Sequence, residues 1–307
     1  MPSRLRLGTR GSPLALAQAY EVRAKLTAAH PELAEDAVEI VVIKTTGDAI
    51  QDRTLSEAGG KGLFTKEIEE ALLDKSIDIA VHSMKDVPTW LPDGLMIDAI
   101  LEREDPRDAL ITSKAKSLAD LPEGSVIGTA SLRRQAQVLA KHPHLRVEPI
   151  RGNLQTRMRK LSEGVCDATF LAVAGLNRMG LAHEITAALD IDEMLPAVAQ
   201  GAIGLEIREG DDATRAAIVP LNHADSAVRV MAERAFLTVL DGSCRTPIAA
   251  HARFSDGEII FDGEILKPDG SVVHGAKRSG AAADAESMGR EAGEQVLAEA
   301  GPGFLAT

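Results

Sequence analysis

The sequence has few aromatic residues, few cysteines and a deficit of positive charge. One Trp, one Tyr and six Phe among 307 residues are too few for the stacking platforms that bind nucleic-acid bases. The formal net charge of -12 argues against a nonspecific polyanion-binding protein, because such proteins present basic surfaces. No run of about 18 consecutive apolar residues occurs, so no membrane span is predicted. These absences favour a globular protein without nucleic-acid or membrane partners.

The two cysteines, Cys166 and Cys244, are far apart in the sequence. Two cysteines in a chain of this length do not form a disulfide framework, so we expect reduced thiols. The N-terminal residues lack the apolar segment of a signal peptide, and we therefore expect a cytoplasmic protein. Cys166 is expected to be a small buried residue. Cys244 follows a predicted helix in a glycine-serine loop, which favours an exposed and reactive thiol.

Length and composition, with 45% hydrophobic residues, are typical of two or three globular domains. Strand and helix patterns alternate in two successive stretches, which predicts two α/β units with a charged, proline-broken hinge at 102–108. Gln200-Gly201 is interpreted as a second crossover, with a simple turn as the alternative. Three strands and a helix past 247 predict a small domain with an antiparallel sheet. Predicted strands include 4–8, 38–44, 95–101, 125–128, 146–150, 168–173, 203–207, 248–254, 258–266 and 271–277.

The segment 77–88 (IDIAVHSMKDVP) combines an apolar strand with a polar end. Its first half predicts a buried strand, and the Val-Pro pair at its end prevents a helix from starting there. The polar residues at the end of this strand are His82, Ser83, Lys85 and Asp86. Ligands of open α/β sheets bind beyond the carboxyl ends of strands, so the segment predicts a binding site. A turn with two solvated charges is the alternative.

Arginines recur near predicted helix N-termini, although the chain is acidic overall. Ser12 as N-cap and Pro13 open a helix directly after Arg10. In the second unit, the arginines at or just after helix N-termini are Arg133, Arg134, Arg151, Arg157 and Arg178. Helix N-termini and guanidinium groups both favour carboxylates or phosphates. Together with Lys85, this pattern predicts a basic cleft for a ligand with several negative groups. Arginines scattered over solvated helix faces are the alternative.

Several motifs match one protein family, in order, along nearly the whole chain. They are 8–15 (GTRGSPLA), 59–64 (GGKGLF), 81–88 (VHSMKDVP), 128–135 (GTASLRRQ), 151–153 (RGN), 171–176 (LAVAGL), 233–234 (ER) and 242–247 (GSCRTP). On these motifs the sequence resembles the porphobilinogen deaminase family, also called hydroxymethylbilane synthases. Each motif alone is weakly specific, whereas all of them in this order are highly specific.

The resemblance implies an α/β fold with three domains. Domain 1, at 1–101 and 202–219, and domain 2, at 107–195, are expected to resemble type II periplasmic binding protein domains joined by a double crossover. Domain 3, at 224–307, is expected to be a small α/β domain that has an antiparallel sheet and anchors the cofactor.

The resemblance also implies a cytoplasmic, monomeric transferase of porphyrin and haem biosynthesis. Four porphobilinogen molecules would be joined head to tail with loss of ammonia, and the linear tetrapyrrole hydroxymethylbilane would be released by hydrolysis. The implied cofactor is a dipyrromethane, made from two substrate molecules and held by a thioether to Cys244. The implied partners are porphobilinogen and the growing polypyrrole chain. Nucleic acid, membrane and a metal site are not expected.

The family pattern assigns roles to the matching residues of this chain. The expected contacts to cofactor carboxylates are Lys85, Thr129, Ser131, Arg133 and Arg134. The expected contacts to substrate or growing chain are Arg10, Ser12, Gln18, Arg151, Arg157 and Arg178. Asp86 is the expected catalytic carboxylate, because it can stabilise positive charge on the pyrrole nitrogen after ammonia leaves and can move protons. Lys61 is expected on a mobile loop over the site.

Two positions depart from the family pattern. Glu57 stands where some relatives have lysine, which weakens the case for a cation contact from that loop position. Ala130 stands where many relatives have serine, which removes one hydroxyl. Two other protein classes share elements of the pattern: a solute-binding protein, which would need an export signal, and the ligand-sensing module of a transcription regulator, which would need a DNA-binding helix pair. Both predict no covalent adduct at Cys244.

Overall fold

The computed structural model describes residues 4–33, 35–49, 62–241 and 246–304. Within these residues the strands are β1 (Leu5–Arg10), β2 (Val38–Ile43), β3 (Ile79–Ser83), β4 (Leu95–Ile100), β5 (Asp108–Ile111), β6 (Val126–Gly128), β7 (Arg146–Glu148), β8 (Ala168–Ala172), β9 (Ala187–Ala188), β10 (Ile203–Arg208), β11 (Ile248–Ser255), β12 (Glu258–Leu266) and β13 (Val273–Gly280). The helices are α1 (Pro13–Ala29), α2 (Thr46–Ala49), α3 (Lys66–Leu73), α4 (Leu132–Lys141), α5 (Leu154–Ser162), α6 (Val173–Arg178), α7 (Asp212–Ile218), α8 (Ala224–Val239) and α9 (Ala285–Ala300).

The chain divides into two units, with boundaries at 104/105, 200/201 and 227/228. The first unit contains a five-stranded sheet of order β2-β1-β3-β10-β4. β1, β2 and β3 are parallel, whereas β10 runs antiparallel to both of its neighbours. Its core includes Leu7, Val22 and Leu205, which join β1, α1 and β10. The hinge predicted at 102–108 and the crossover predicted at Gln200-Gly201 coincide with two of these boundaries.

The second unit contains two sheets. The first has the order β7-β6-β8-β5-β9, with β6, β7 and β8 parallel and β5 antiparallel to its neighbours. This arrangement repeats that of the first unit, as the alternation of strands and helices predicts. The other sheet is the antiparallel meander β11-β12-β13. α9 packs closely on α8 through Gly289, where an added Cβ would lie 2.0 Å from the Ala232 oxygen.

The predicted α/β class, with two α/β units and a small antiparallel C-terminal sheet, is confirmed. The predicted start of α1 is also confirmed, since Ser12 Oγ accepts a hydrogen bond from Ala15 N at 3.3 Å and Pro13 is the first helical residue. Among the described residues, no helix combines the length and apolar character that crossing a membrane requires.

Several local expectations were wrong. The spacing of Phe64, Ile68, Ala71 and Leu72 predicts a helix with Phe64 on its apolar stripe. In the structure, α3 begins at Lys66 and Phe64 precedes it. The predicted hinge extended to Asp108, which instead begins the buried strand β5. The polar composition of 45–62 predicts a long loop. Its first residues instead form the short helix α2, and residues 50–61 lie outside the described part of the chain. α7, with Asp211 as N-cap, was not predicted.

Candidate active site

A pocket lies in the first unit, at the carboxyl ends of two parallel strands. Arg10 ends β1, Ser83 ends β3, and a single helical turn, Met84–Asp86, follows. The lining residues are Arg10, Ala15, Gln18, Phe64, Thr65, Val81, His82, Ser83 and Asp86. The sequence placed a ligand site at this strand end, and the pocket lies there.

Arg10 connects a carboxylate and an aromatic ring at this pocket. Its Nη1 atom is 3.6 Å from Asp86 Oδ2, and its guanidinium carbon lies 4.1 Å from the centre of the Phe64 ring. A guanidinium at this distance over an aromatic face gains a cation–π interaction. The two contacts hold the Arg10 guanidinium beside Asp86. Phe64 was missed as a site residue because it was assigned to a helix stripe.

The side chains of Gln18 and Ser83, which both line the pocket, form hydrogen bonds with each other. Gln18 Nε2 and Oε1 are 2.8 Å and 3.0 Å from Ser83 Oγ, and Gln18 is buried. Ser12 caps α1 with its hydroxyl, as described above. Of the residues predicted to contact substrate, Arg10 and Gln18 therefore line the same pocket as Asp86. Lys85 lies half-buried in the turn between Met84 and Asp86.

In the second unit, Arg133 and Arg134 share one carboxylate. Arg133 Nη2 is 2.7 Å from Asp108 Oδ2, and Arg134 Nη2 is 2.6 Å from Asp108 Oδ1. Asp108 is completely buried. Burial alone would raise the pKa of Asp108, but the two guanidinium groups outweigh it and hold that pKa well below its usual range. Asp108 was missed because the sequence places it in a charged segment that resembles a solvated hinge.

The remaining contacts of this cluster fix its position in the fold. Arg133 Nη1 donates to the Leu195 carbonyl at 2.7 Å, and Arg134 Nη1 donates to the Phe170 carbonyl at 2.9 Å. Gln200 Nε2 donates to Asp108 Oδ1 at 2.9 Å. Each guanidinium is thus held by one charge-assisted bond to Asp108 and one bond to a backbone carbonyl, which together fix its orientation.

Positive charge exceeds negative charge around this cluster. Arg134 Nε and Arg151 Nη1 are buried and have no hydrogen-bond partner among the described residues. Burial, together with the positive charges of Arg134 and Arg151, lowers the pKa of Arg157 to about 10. Arg157 Nε donates to the Gly152 carbonyl at 2.9 Å. Buried cationic donors without partners are suited to bind carboxylates, so the cluster can hold an anionic ligand.

Some predicted site residues have other positions. Arg178 was expected near a helix N-terminus, but it is the last residue of α6, because that helix begins directly after β8 and is only six residues long. Thr129 is buried at the end of β6, and its Oγ1 accepts from Ser131 N at 3.2 Å. Ser131 caps α4 by accepting from Arg134 N. Lys61, Glu57 and Cys244 lie outside the described residues. No group of three or more His, Cys, Asp or Glu side chains in the described part of the chain could hold a metal ion.

Two family models match the chain. The model described as "Porphobilinogen deaminase, dipyromethane cofactor binding domain" matches residues 5–216, and "Porphobilinogen deaminase, C-terminal domain" matches residues 227–298. The chain belongs to the porphobilinogen deaminase family. The predicted family, transferase class and dipyrromethane cofactor are thereby confirmed.

Curated porphobilinogen deaminases are similar to this chain over almost its full length. A chloroplastic porphobilinogen deaminase from Oryza sativa subsp. japonica is 59% identical and covers 99% of this chain and 86% of its own. A porphobilinogen deaminase from Paracoccus denitrificans is 55% identical and covers 98% of this chain and 96% of its own.

Solved structures show a weaker likeness. The methionine-binding protein MetQ is 15% identical, with a TM-score of 0.46, over 72% of this chain and 90% of its own. The periplasmic aliphatic sulphonate binding protein SsuA from Escherichia coli is 15% identical, with a TM-score of 0.42, over 78% of this chain and 70% of its own.

Proposed function

We propose that this chain joins four porphobilinogen molecules head to tail into hydroxymethylbilane, with release of ammonia, on a dipyrromethane primer bound to Cys244 by a thioether. The observation that carries this proposal is the excess of buried arginine charge in an acidic protein. Each pyrrole unit has two carboxylates, so a growing chain is a multiply charged anion. Arg134 and Arg151, with buried nitrogens that lack partners in the described residues, suit such a ligand.

The residues of the second unit fit the dipyrromethane. Its carboxylates would be held by the predicted contacts Thr129, Ser131, Arg133 and Arg134 of this unit. Lys85, which belongs to the first unit, is also a predicted contact. When bound, this group supplies the pyrrole ring from which chain growth starts. Asp108 keeps both guanidinium groups oriented before the cofactor arrives, and Arg134 Nε is the donor that this internal pairing leaves over.

The substrate and growing chain would be held by Arg10, Ser12, Gln18, Arg151, Arg157 and Arg178. Asp86 is the proposed catalytic carboxylate. Loss of ammonia from porphobilinogen leaves positive charge on the pyrrole nitrogen, and a carboxylate nearby stabilises that charge. Arg10, 3.6 Å from Asp86 and stacked on Phe64, positions this carboxylate. Lys61 is proposed to belong to the loop that covers the site.

We also propose a cytoplasmic monomer with domains at 1–101 with 202–219, 107–195 and 224–307. Mass measurement of the native protein tests the monomer. Nucleic acid and membrane are not proposed as partners, because the chain is strongly acidic.

The first test of this function is the intact mass of the denatured protein beside Cys244→Ala. We expect an excess of two linked pyrrole units in the wild type and none in the variant. Incubation with porphobilinogen should then add further pyrrole units to the wild type. A bare polypeptide mass that stays unchanged after incubation would contradict the proposed function.

The second test addresses Asp86. We expect Asp86→Asn to remain folded and loaded but to lose nearly all turnover, because the positive charge is no longer compensated. Asp98→Asn is the matched control, since Asp98 pairs with Arg215 at 3.0 Å in the same unit and does not line the pocket. Near-normal turnover of Asp86→Asn would remove Asp86 from the mechanism.

A further inference from the structure

A buried acid–base pair lies behind the pocket of the first unit. His82 on β3 lies opposite Gly204 of β10. Glu206, two residues farther along β10, lies opposite Ala80. Alternate residues of a strand share a face of the sheet, so the His82 and Glu206 side chains lie on the same face. Their Nε2 and Oε2 atoms are 2.7 Å apart, and the two side chains are 4% and 0% exposed.

A second buried carboxylate, Glu69 of α3, lies near this pair. Burial raises the pKa of Glu69, and the negative charge of Glu206 acts in the same direction. In the described residues, neither Glu69 Oε1 nor Glu206 Oε1 has a hydrogen-bond partner. Buried polar atoms without partners are uncommon in folded proteins, so two of them at one place require a functional explanation.

His82 also lines the pocket that contains Asp86 and Arg10. The pocket therefore presents two acid–base groups with different neighbours: Asp86 faces a guanidinium, whereas His82 is held by a carboxylate. When the Nε2–H group of His82 donates its hydrogen bond to Glu206, the other ring nitrogen, Nδ1, carries the lone pair. A carboxylate that fixes the tautomer and orientation of a histidine in this way is the arrangement found in general-base histidines.

Building on the proposed function, we propose that His82 is a second catalytic residue of this pocket, a general base that Glu206 orients. In one addition the C–N bond of the substrate's protonated aminomethyl group breaks. The methylene carbon then forms a C–C bond to the free α-carbon of a pyrrole ring. The C–H bond at that carbon then breaks. His82 Nδ1 accepts this proton and passes it to the departing ammonia, which leaves as ammonium. The protein gains no net proton, so His82 is ready for the next addition.

Glu206 and Glu69 are positioning residues in this proposal. Glu206 holds the imidazole and compensates its positive charge while it carries the proton. The carboxyl group of Glu69 interacts electrostatically with both Glu206 and His82, so its charge state affects how strongly Glu206 holds the imidazole. The catalytic work is thus divided: Asp86 stabilises charge on the pyrrole nitrogen, and His82 moves the carbon proton.

The test uses the full, cofactor-loaded protein and porphobilinogen with hydrogen or deuterium at its free α-carbon. The intact mass of the protein in quenched samples gives the rate of each addition. The rates with hydrogen and with deuterium are compared at the second addition, because the pyrrole unit added first then supplies the labelled carbon. We expect His82→Gln to slow this addition by about 10²- to 10⁴-fold and to increase the hydrogen/deuterium rate ratio. His30→Gln is the matched control, because His30 is buried in the same unit with Nε2 2.8 Å from the Ala217 carbonyl, away from the pocket.

Each outcome is decisive. A folded and loaded His82→Gln protein that adds units at the wild-type rate, or slows with an unchanged isotope ratio, would overturn the proposal and leave His82 a packing role. If His82→Gln does not fold, Glu206→Gln is the alternative variant, because it keeps the imidazole and removes the carboxylate that orients it. We expect this variant to add pyrrole units more slowly, with a raised hydrogen/deuterium rate ratio. An unchanged ratio would contradict the proposal. A wild-type protein that gains no pyrrole mass would instead refute the proposed function.

Discussion

Asp108→Asn should destabilise the second unit strongly, because it removes the carboxylate that two buried guanidinium groups share. Asp108 Oδ2 accepts from Arg133 at 2.7 Å, and Oδ1 accepts from Arg134 at 2.6 Å and from Gln200 at 2.9 Å. Asparagine offers one oxygen, and its amide nitrogen would place a donor against guanidinium donors. The substitution therefore breaks at least one of these contacts and leaves both positive charges without compensation.

The expected loss follows from the burial of this cluster. Removing one partner of a buried ion pair costs about 3–5 kcal/mol, because the remaining charge stays buried and unpaired. Asp108 is completely buried, and Arg133 and Arg134 are each 5% exposed. We therefore expect Asp108→Asn to lower the free energy of unfolding by about 3–5 kcal/mol near neutral pH.

The same contact predicts a dependence on pH. The pKa of Asp108 is lower in the folded protein than in the unfolded chain. Its stabilising contribution is therefore complete above the unfolded value of about 3.9 and is lost progressively as the pH falls below it. The difference in stability between the wild type and Asp108→Asn should shrink in that range.

Denaturant unfolding followed by far-UV circular dichroism measures this difference. Fluorescence of Trp90, which lies in the first unit, follows that unit separately. Glu148→Gln is the control, because it removes an acidic charge from the same sheet at an ion pair whose side chains are 52% and 66% exposed. We expect that control to lose less than about 1 kcal/mol. If Asp108→Asn matched the control, Asp108 would not compensate the two arginines as argued.

Two further predictions concern the antiparallel sheet. Gly270→Ala should destabilise the protein by about 1–3 kcal/mol more than Gly257→Ala. Both glycines have positive φ, but an added Cβ at Gly270 would lie 2.4 Å from Ala140 N of α4, whereas an added Cβ at Gly257 meets nothing within 4 Å. Equal unfolding midpoints would exclude this contact. Burial raises the pKa of Glu264, so the wild type should lose stability relative to Glu264→Gln as the pH rises above about 4.3; denaturation at several pH values checks this, and a constant difference would contradict it.

Local sequence signals predicted the order of the elements well. Hydrophobic runs, turns and an N-cap at Ser12 identified most strands and helices to within a few residues. These signals act between residues close in sequence, so the sequence displays both members of each interaction. The similar alternation of strands and helices in the two units, and the C-terminal meander, could be predicted for the same reason.

Long-range pairing was not predictable in this way. Asp108 appears in the sequence among charges and a proline, and its burial depends on Arg133 and Arg134, which are 25 and 26 residues away. Glu206 appears as an ordinary strand residue, and its role depends on His82, 124 residues away. Nothing near either acid in the sequence distinguishes it from a solvated charge.

The sequence by itself therefore determined the α/β class, the family and the pool of residues from which the site is built. Only the tertiary structure decided which members of that pool line a pocket and which contact each other. The physical reason is that burial and compensation of charge depend on distance in space. Arg134 donates from Nη2 to Asp108 and from Nη1 to the Phe170 carbonyl, whereas its buried Nε has no partner among the described residues. That division is set where β5, β8 and α4 meet, and the residues around Arg134 in the sequence do not contain it.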